Sequence, residues 1–294
     1  MRAARRGGLA RPVRRFGALA CLAACVVALA GCAPSSGATG DTVTVAGSTT
    51  VMPIAEMAAE RFQELTGDRV LVSGLGSSAG IEAVMNGTAD IATSSRGLTA
   101  AEEATGELVT TVIARDGIAV IVNAGNPVGN LTVGQLRAVY AGDVTNWSEL
   151  GGPDLPILVV NRDEASGTRE AFKSIVMDGA RFDASAAVLP GTGQVRDVVS
   201  RTPGAIGYIS IGFVDSAFTT SKVKALSIDG VEPTEANVAS GVYPVSRSLY
   251  LFTKGEPSGE AKAYIDEVLS PDMAQTIRDA GYIPASESEG GDAS

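Results

Sequence analysis

The spacing of hydrophobic residues changes several times along this chain, and these changes predict alternating strands and helices. Two continuous apolar runs, at 117–123 and 156–160, are typical of buried parallel strands. Shorter β-type runs at 42–46 and 69–73 are each followed by a helical repeat. The predicted helices lie at 53–65, at 81–85, after the N-cap Thr132, at 261–269, and from Ser270-Pro271 to Gly281.

This alternation predicts an α/β protein, in which helices pack in layers against a sheet. The folded part of the chain is longer than one hydrophobic core usually serves, so we expect two lobes. We assign residues 41–122 and 245–284 to lobe 1 and residues 123–244 to lobe 2, with chain crossings near 122–124 and 243–246. The stripe of apolar residues at 261–269 predicts a buried helix face.

The N-terminus has the pattern of a bacterial export signal. Six arginines precede an uncharged apolar run, Phe16–Ala30, that is too short to span a membrane comfortably. The run ends in Leu-Ala-Gly-Cys, which resembles a lipobox and implies that residues 1–31 are removed and Cys32 is lipidated. A plain signal peptide or an uncleaved anchor are the alternatives. Residues 32–40 have the composition of a flexible tether, and residues 285–294 that of a disordered acidic tail.

Composition excludes several classes of function. Without the leader, the chain carries 17 basic and 33 acidic residues, a formal charge of −16, which argues against a nucleic-acid partner. The chain has no histidine, and its three cysteines lie in or directly after the leader. A Ser-His-Asp triad, a Cys-His pair and a metal site with His or Cys ligands are therefore excluded. We expect no enzyme activity, no cofactor and no metal.

Three β-runs are each followed by a turn rich in Gly, Ser and Thr that leads into a helix. These turns lie at 46–50, 74–80 and 166–168. Free backbone N–H groups and the helix dipole make such a turn a cradle for an oxyanion, and the hydroxyl groups add donors. Ordinary N-capping is the alternative for any single turn. Three turns of this kind favour an anion site.

Two arginines follow strand-like segments close to these turns. Arg96 follows the run at 90–92, and Arg162 follows the run at 156–160, four residues before Ser166. Guanidinium groups bind tetrahedral oxyanions through two parallel hydrogen bonds. A structural ion pair is the alternative for either arginine.

Several strings resemble the phosphate-binding lipoproteins of bacterial high-affinity phosphate ABC transporters. They are AGSTTV, GSSAGI, ADIATSSR, VYAGDVTNWSELGG, RDEASGTREAF, GAIGYIS and YPVSRSLYLF, and they occur in the family's order over residues 42–284. The resemblance implies a type II periplasmic-binding-protein fold, with two α/β lobes joined by a hinge. The phosphate contacts that it implies are Ser48, Thr49, Thr50, Ser77 with its neighbour Ser78, Ser95, Arg162, Ser166, Gly167 and Thr168.

The resemblance also implies the partners of the protein. These are inorganic phosphate and the permease subunits of an ABC importer with its ATPase, and the lipid provides the contact with the membrane. We expect a monomer at the outer face of the cell membrane. Another tetrahedral oxyanion, such as sulfate, arsenate or a phosphonate, is the alternative ligand, and phosphate sensing without transport is the alternative role. A phosphatase with a serine nucleophile lacks any residue to activate the hydroxyl.

The sequence departs from the best-known members of the family at Ser95, where those members carry Asp. A carboxylate accepts a hydrogen bond from protonated phosphate and repels sulfate, which has no proton to donate. Serine accepts only weakly, although one branch of the family shares the SSR string. Asp163 or Glu164 could supply the acceptor instead, and the alternative role for both is to orient Arg162.

Overall fold

The computed structural model describes residues 42–214 and 222–288. The strands are β1 (Thr42–Gly47), β2 (Arg69–Gly74), β3 (Ile91–Ser94), β4 (Leu108–Asn123), β5 (Asn130–Leu131), β6 (Leu158–Arg162), β7 (Ala187–Leu189), β8 (Ala205–Ser210), β9 (Val223–Ala225), β10 (Ser227–Ile228), β11 (Ser246–Lys254) and β12 (Ile283–Pro284). The helices are α1 (Met52–Thr66), α2 (Ser77–Met85), α3 (Ala100–Glu103), α4 (Val133–Ala141), α5 (Gly167–Phe172), α6 (Thr192–Arg201), α7 (Glu235–Ala239), α8 (Gly259–Val268), α9 (Pro271–Asp279) and α10 (Ala285–Ser288). The fold class is the predicted α/β type.

A mixed sheet runs through the protein in the order β2-β1-β3-β11-β4-β8-β6-β7. Strands β1, β2 and β3 are parallel to one another, and β6 is parallel to β7 and β8. The prediction of a parallel strand at 117–123 is wrong, because this part of β4 is antiparallel to β8. A continuous apolar run indicates that both faces of a strand are buried, and it does not fix the direction of the neighbouring strands.

Each lobe has one main hydrophobic core along this sheet, and a smaller third cluster around Ile81 and Phe252 lies in lobe 1. The core of lobe 1 includes Val43, Ile54, Phe62, Ile91 and Tyr264. The core of lobe 2 includes Val120, Trp147, Val160, Phe172 and Tyr208. Each core packs helices against its own strands, which gives the two-lobed arrangement.

Strands β4 and β11 pass from one core to the other. On β4, Ala114 packs in the core of lobe 1 and Ile118 in that of lobe 2. Val245 packs in lobe 2, and Leu249 of β11 packs in lobe 1. On β4, the packing thus changes from one core to the other near Asp116, before the predicted crossing at 122–124. One unbroken strand serves both cores, so the hydrophobic pattern shows no interruption at the point of crossing.

Local capping explains where several helices begin. Thr132 Oγ1 accepts from Gln135 N at 3.1 Å, and Gln135 Oε1 accepts from Thr132 N at 2.9 Å, which forms a capping box before α4. Ser270 caps α9 directly before Pro271, as the sequence predicts. The buried stripe of α8 ends at Val268, and Leu269 is 44% exposed. Leu269 lies past the last helical residue, so its side chain no longer follows the buried face.

Several predictions concern the ends of the chain. The signal peptide 1–31, the lipidation of Cys32 and the tether 32–40 lie outside the described residues, as do residues 289–294. Residues 285–288 of the predicted disordered tail form the helical turn α10, where Glu287 pairs with Arg278. Within 42–214 and 222–288, no helix has both the length and the apolar character needed to cross a membrane.

Candidate anion-binding site

The predicted turns follow the carboxyl ends of the parallel strands in both lobes. In lobe 1, the turns after β1, β2 and β3 carry Ser48, Ser77 and Ser95, and each of these residues is buried. In lobe 2, the turn after β6 carries Ser166 and Thr168, which are also buried. Crevices at the carboxyl ends of strands are the usual ligand sites of open α/β sheets.

The three serines of lobe 1 form one hydrogen-bonded cluster. Ser48 Oγ accepts from the backbone N–H groups of Thr50 at 3.2 Å and Val51 at 3.3 Å, and it donates to Ser95 Oγ at 3.1 Å. Ser77 Oγ accepts from Ser95 N at 3.1 Å and lies 3.3 Å from Ser95 Oγ. Residues that are distant in the sequence therefore converge on a single group of hydroxyls.

Threonines from the two lobes meet across the cleft. Thr50 Oγ1 lies 3.1 Å from Thr168 Oγ1, and Thr49 Oγ1 lies 3.0 Å from Thr192 Oγ1. Each hydroxyl carries one proton that could be redirected from this contact to an anion. The site residues predicted from opposite halves of the chain are thus brought within hydrogen-bond distance of one another.

Glycines allow the backbones of the two lobes to approach each other. A Cβ atom on Gly167 would lie 2.3 Å from Ser77 Oγ and 2.8 Å from Ser95 Oγ. Gly76 has a φ of +94°, and a Cβ there would lie 2.7 Å from the carbonyl oxygen of Ala165. Any larger side chain at either position would push the lobes apart.

Arg162 is a buried cation without a carboxylate partner among residues 42–214 and 222–288. Its side chain donates to the backbone carbonyls of Leu189 at 3.1 Å and Pro190 at 2.8 Å. Longer contacts of 3.3 Å and 3.4 Å join its Nη atoms to the hydroxyls of Thr192 and Thr49. Among the buried arginines of the described residues, Arg96 and Arg247 each pair with a carboxylate and Arg162 does not.

Burial lowers the pKa of Arg162, Tyr208 and Asp163 act against this effect, and the positive charge of Arg247 lowers the pKa further. A guanidinium nevertheless stays protonated in proteins. A buried charge of this kind is costly unless it is paired. The electrostatics of the cleft therefore favour an anionic ligand close to Arg162.

Arg247 is a second buried guanidinium at this site, and sequence reasoning missed it. Its Nε and Nη2 atoms donate to Asp116 Oδ2 at 3.0 Å and 2.8 Å. Its Nη1 donates to the Ser95 carbonyl at 3.3 Å, and its Nη2 lies 3.5 Å from Thr50 Oγ1. Arg247 and Asp116 are directly opposite each other on the two crossing strands, β11 and β4.

Arg96, a predicted anion ligand, makes four contacts with protein groups through its two Nη atoms. Its Nη1 and Nη2 atoms bind the two carboxylate oxygens of Glu102 at 2.7 Å and 2.8 Å. The same two atoms donate to the Gly97 carbonyl at 2.8 Å and to Ser78 Oγ at 3.0 Å. These contacts occupy the guanidinium, so the structure favours the alternative of a structural ion pair. They also hold Ser78, whose hydroxyl contacts Arg96 and lies outside the serine cluster.

The candidate acceptors beside Arg162 differ in their exposure. Glu164 is exposed, whereas Oδ1 of Asp163 is buried and has no hydrogen-bond partner among the described residues. A buried carboxylate oxygen without a donor is costly. Asp163 is therefore the better candidate for accepting a hydrogen bond from a protonated ligand.

Two residues could have been found from the sequence but were not. Thr192 is the first residue of α6, and Gly191 precedes it in the short turn after β7. This order of strand, Gly-Thr turn and helix is the same as in the three predicted turns. Arg247 shares the two-residue period of the buried Leu249 and Leu251 on β11. A charged residue in phase with the buried face of a strand is a signal of a paired or functional group.

The fold and the cleft define a two-lobed α/β binding protein with a small polar site between its lobes. A family model described as the PBP superfamily domain matches residues 33–272. A phosphate-binding protein PstS of Bacillus subtilis is 37% identical over 251 residues, which cover 83% of this chain and 81% of that protein. This chain belongs to the PBP superfamily and, within it, to the family of the phosphate-binding proteins.

Solved structures agree with this assignment. A candidate phosphate ABC transporter substrate-binding protein from Clostridium perfringens, solved with bound phosphate, is 38% identical with a TM-score of 0.79. The alignment covers 83% of this chain and 100% of that one. An ABC-type phosphate transport receptor from Vibrio cholerae is 36% identical with a TM-score of 0.68, again over 83% and 100% of the two chains. These relatives are binding proteins of transporters and not enzymes.

Proposed function

We propose that this protein binds inorganic phosphate in the cleft between its lobes and delivers it to an ABC importer. The observation that carries the proposal is the buried, carboxylate-free guanidinium of Arg162 beside hydroxyls from both lobes. A small tetrahedral dianion could accept hydrogen bonds from all of these groups at once. The names of the relatives support phosphate as that anion.

The proposed phosphate contacts come from both lobes, and closure of the lobes would surround the ligand. The anion would take the place of the present hydroxyl–hydroxyl contacts between the two lobes. In this proposal, Arg96 forms a structural ion pair with Glu102 and does not touch the ligand. The proposed contacts are Ser48, Thr49, Thr50, Ser77, Ser95, Arg162, Ser166, Gly167 and Thr168.

The proposal includes export and anchoring. Cleavage before Cys32 and lipidation of its thiol would hold a monomer at the outer face of the membrane, beside the permease and ATPase of the importer. Growth in labelled palmitate, followed by immunoprecipitation, tests this step. Label should enter the wild-type protein and be absent from a Cys32→Ser variant, and label in both proteins would reject the anchor.

Isothermal titration with phosphate and with sulfate tests the binding function. We expect a saturable heat with phosphate and a much weaker one with sulfate. The absence of heat with phosphate would reject the proposal, and equal affinity for sulfate would support a general oxyanion-binding protein. If the wild type discriminates, an Asp163→Asn variant tests the acceptor, because removal of the acceptor charge should reduce the preference for phosphate.

A non-transport role is the second candidate function. It is tested in cells, by phosphate uptake at low external concentration with and without this protein. Loss of uptake on deletion, with rescue by the wild type but not by an Arg162→Met variant, supports delivery to an importer. Unchanged uptake together with tight phosphate binding in vitro would favour a sensor.

A further inference from the structure

We infer that Arg247 is a direct ligand of the bound anion, held in place by Asp116 at the crossing between the lobes. This inference rests on the proposed function and adds a second guanidinium to the site. Arg247 lies on β11, one of the two strands that join the lobes, and it is 8% exposed.

The guanidinium of Arg247 has two edges with different surroundings. The edge formed by Nε and Nη2 is bound to Asp116 Oδ2 at 3.0 Å and 2.8 Å. The edge formed by Nη1 and Nη2 faces the Ser95 carbonyl at 3.3 Å and Thr50 Oγ1 at 3.5 Å. These two contacts are longer than the usual 2.9–3.0 Å of a good N–H···O bond, so this edge retains donor capacity toward the cleft.

The neighbours of the second edge are the same residues that form the proposed site. Ser95 belongs to the serine cluster, and Thr50 is the residue whose hydroxyl reaches Thr168 in lobe 2. An anion that displaces the contact between Thr50 and Thr168 would therefore lie next to Arg247. Arg162 contacts Thr192 from lobe 2, and Thr192 Oγ1 lies 3.4 Å from Thr50 Oγ1. An anion beside Thr50 would therefore lie between two cations.

The effect of one arginine on the other supports this arrangement. The positive charge of Arg247 is one of the causes that lower the pKa of Arg162, after the larger effect of burial, as expected for two guanidiniums that lie close together. Two buried like charges repel, and an anion between them would convert this repulsion into two attractions. Asp116 forms an ion pair with Arg247 on the side away from the proposed anion. Among the described residues, it forms no ion pair with Arg162.

Asp116 is a positioning residue in this scheme. It is fully buried, its Oδ1 accepts from Ser210 Oγ at 2.6 Å, and its Oδ2 accepts from Arg247. These bonds fix the carboxylate and thereby the orientation of the guanidinium. Because Asp116 and Arg247 face each other on β4 and β11, the anion contact would originate at the hinge itself.

Three variants separate a ligand role from a purely structural one. Arg247→Gln removes the guanidinium but leaves Asp116 buried without its partner, so it could destabilise the fold. The double variant Asp116→Asn/Arg247→Gln removes both charges and keeps two side chains that can hydrogen bond to each other. The matched control is Arg96→Gln/Glu102→Gln, which neutralises the other buried Arg–carboxylate pair with partners in lobe 1.

The measurements are the affinity for phosphate by isothermal titration and the melting temperature without phosphate. We expect the double variant at Asp116 and Arg247 to melt near the wild type and to bind phosphate at least about 30-fold more weakly, the usual loss when a buried charge partner is removed. The control pair should keep its affinity within about threefold. A crystal structure of the wild type with phosphate should place Arg247 Nη1 within about 3.2 Å of a phosphate oxygen.

The inference is overturned if the double variant at Asp116 and Arg247 binds phosphate within about threefold of the wild type. It is also overturned if, in the liganded structure, no guanidinium nitrogen of Arg247 lies within hydrogen-bond distance of a phosphate oxygen. This structure decides the question even if the variants fail to fold. Failure of the wild type to bind phosphate would instead reject the proposed function. If the wild type binds phosphate and the Arg162→Met variant does not, the proposed function stands. The variants at Arg247 then test the further inference alone.

Discussion

Thr50 Oγ1 and Thr168 Oγ1 lie 3.1 Å apart, although 118 residues separate them and they belong to opposite lobes. Each threonine is almost completely buried. Thr50 lies in the turn between β1 and α1, and Thr168 lies in the first turn of α5. Their contact brings turns of the two lobes together, at the centre of the proposed anion site.

The hydroxyl of Thr168 provides the most direct test of the site. We expect Thr168→Val, which keeps the shape of the side chain, to weaken phosphate binding about 10- to 100-fold, because a hydrogen bond to a charged group contributes about 1.5–3 kcal/mol. Titration calorimetry measures the loss. Thr253→Val is the control, since it removes another buried hydroxyl that bonds to the Gly255 carbonyl at 2.9 Å. Equal losses of affinity in the two variants would contradict the assignment.

Arg162→Met should separate binding from stability. Met keeps apolar packing but removes a buried cation, so the melting temperature without anion should stay level or rise. Phosphate at 100 times the wild-type Kd should stabilise the wild type by about 2.7 kcal/mol and the variant hardly at all. Thermal unfolding with and without phosphate measures both effects. A variant that melts much earlier and still responds to phosphate would show that Arg162 is structural.

Arg96→Met is the matched comparison for Arg162→Met. It removes a buried arginine whose carboxylate partner, Glu102, would remain in place. Breaking a partly buried pair in this way is destabilising, so the melting temperature should fall while the stabilisation by phosphate persists. The two arginines are thus expected to give opposite results in the same assay.

Gly167→Ala should prevent the lobes from closing over the ligand. The added Cβ would lie 2.3 Å from Ser77 Oγ, closer than any real contact allows. We expect phosphate to reduce the radius of gyration of the wild type in X-ray scattering and to leave that of the variant unchanged. Gly193→Ala, in the first turn of α6, has no atom within 4 Å of the new Cβ and should behave like the wild type. Normal compaction of the Gly167 variant would refute the closure argument.

Ser95→Asp should increase the preference for phosphate over sulfate. Ser95 Oγ lies within the serine cluster, 3.1 Å from Ser48 Oγ and 3.3 Å from Ser77 Oγ. A carboxylate there can accept the proton of hydrogen phosphate and repels sulfate. We expect the ratio of the two dissociation constants to rise at least about tenfold, since like-charge juxtaposition costs several kcal/mol. Ser95→Asn is the uncharged control, and an equal loss of both anions would count against this explanation.

Glu102 should make a pH-dependent contribution to stability. Burial by itself would raise the pKa of Glu102, but hydrogen bonds from Arg96 and from the backbone of Thr99 outweigh it, and the pKa is lowered. A lowered pKa in the folded state means that the unfolded state takes up the proton first as the pH falls. The stabilisation is therefore present above the ordinary value of about 4.3 and is lost as the pH drops through the folded value.

Urea unfolding across this pH range tests the prediction for Glu102. The difference in the free energy of unfolding between the wild type and Glu102→Gln should be largest near neutral pH and should shrink on acidification. Glu103→Gln, at the exposed neighbouring position, is the control and should follow the wild type. A difference for Glu102→Gln that is independent of pH would show that its ionised form is not what stabilises the fold.

The sequence by itself determined the α/β class, most helix positions and the three turns that carry the hydroxyls. Hydrophobic period, Gly-Ser-Thr turns and N-caps such as Thr132 and Ser270 are local features, and local sequence fixes them. The order of the family's strings gave the family. The same local signals could have identified Thr192.

Tertiary structure alone decided which charges are paired. Arg96 and Arg162 look equivalent in the sequence, because each follows a strand-like run close to a Ser-rich turn. Within the part of the chain that the structure describes, Arg96 pairs with Glu102, and Arg162 has no carboxylate partner. Arg247 pairs with Asp116, 131 residues away. The fold also places the change from one core to the other in the middle of β4. Ion pairs and crossings depend on which strands become neighbours, and the period of a single strand carries no information about its neighbours.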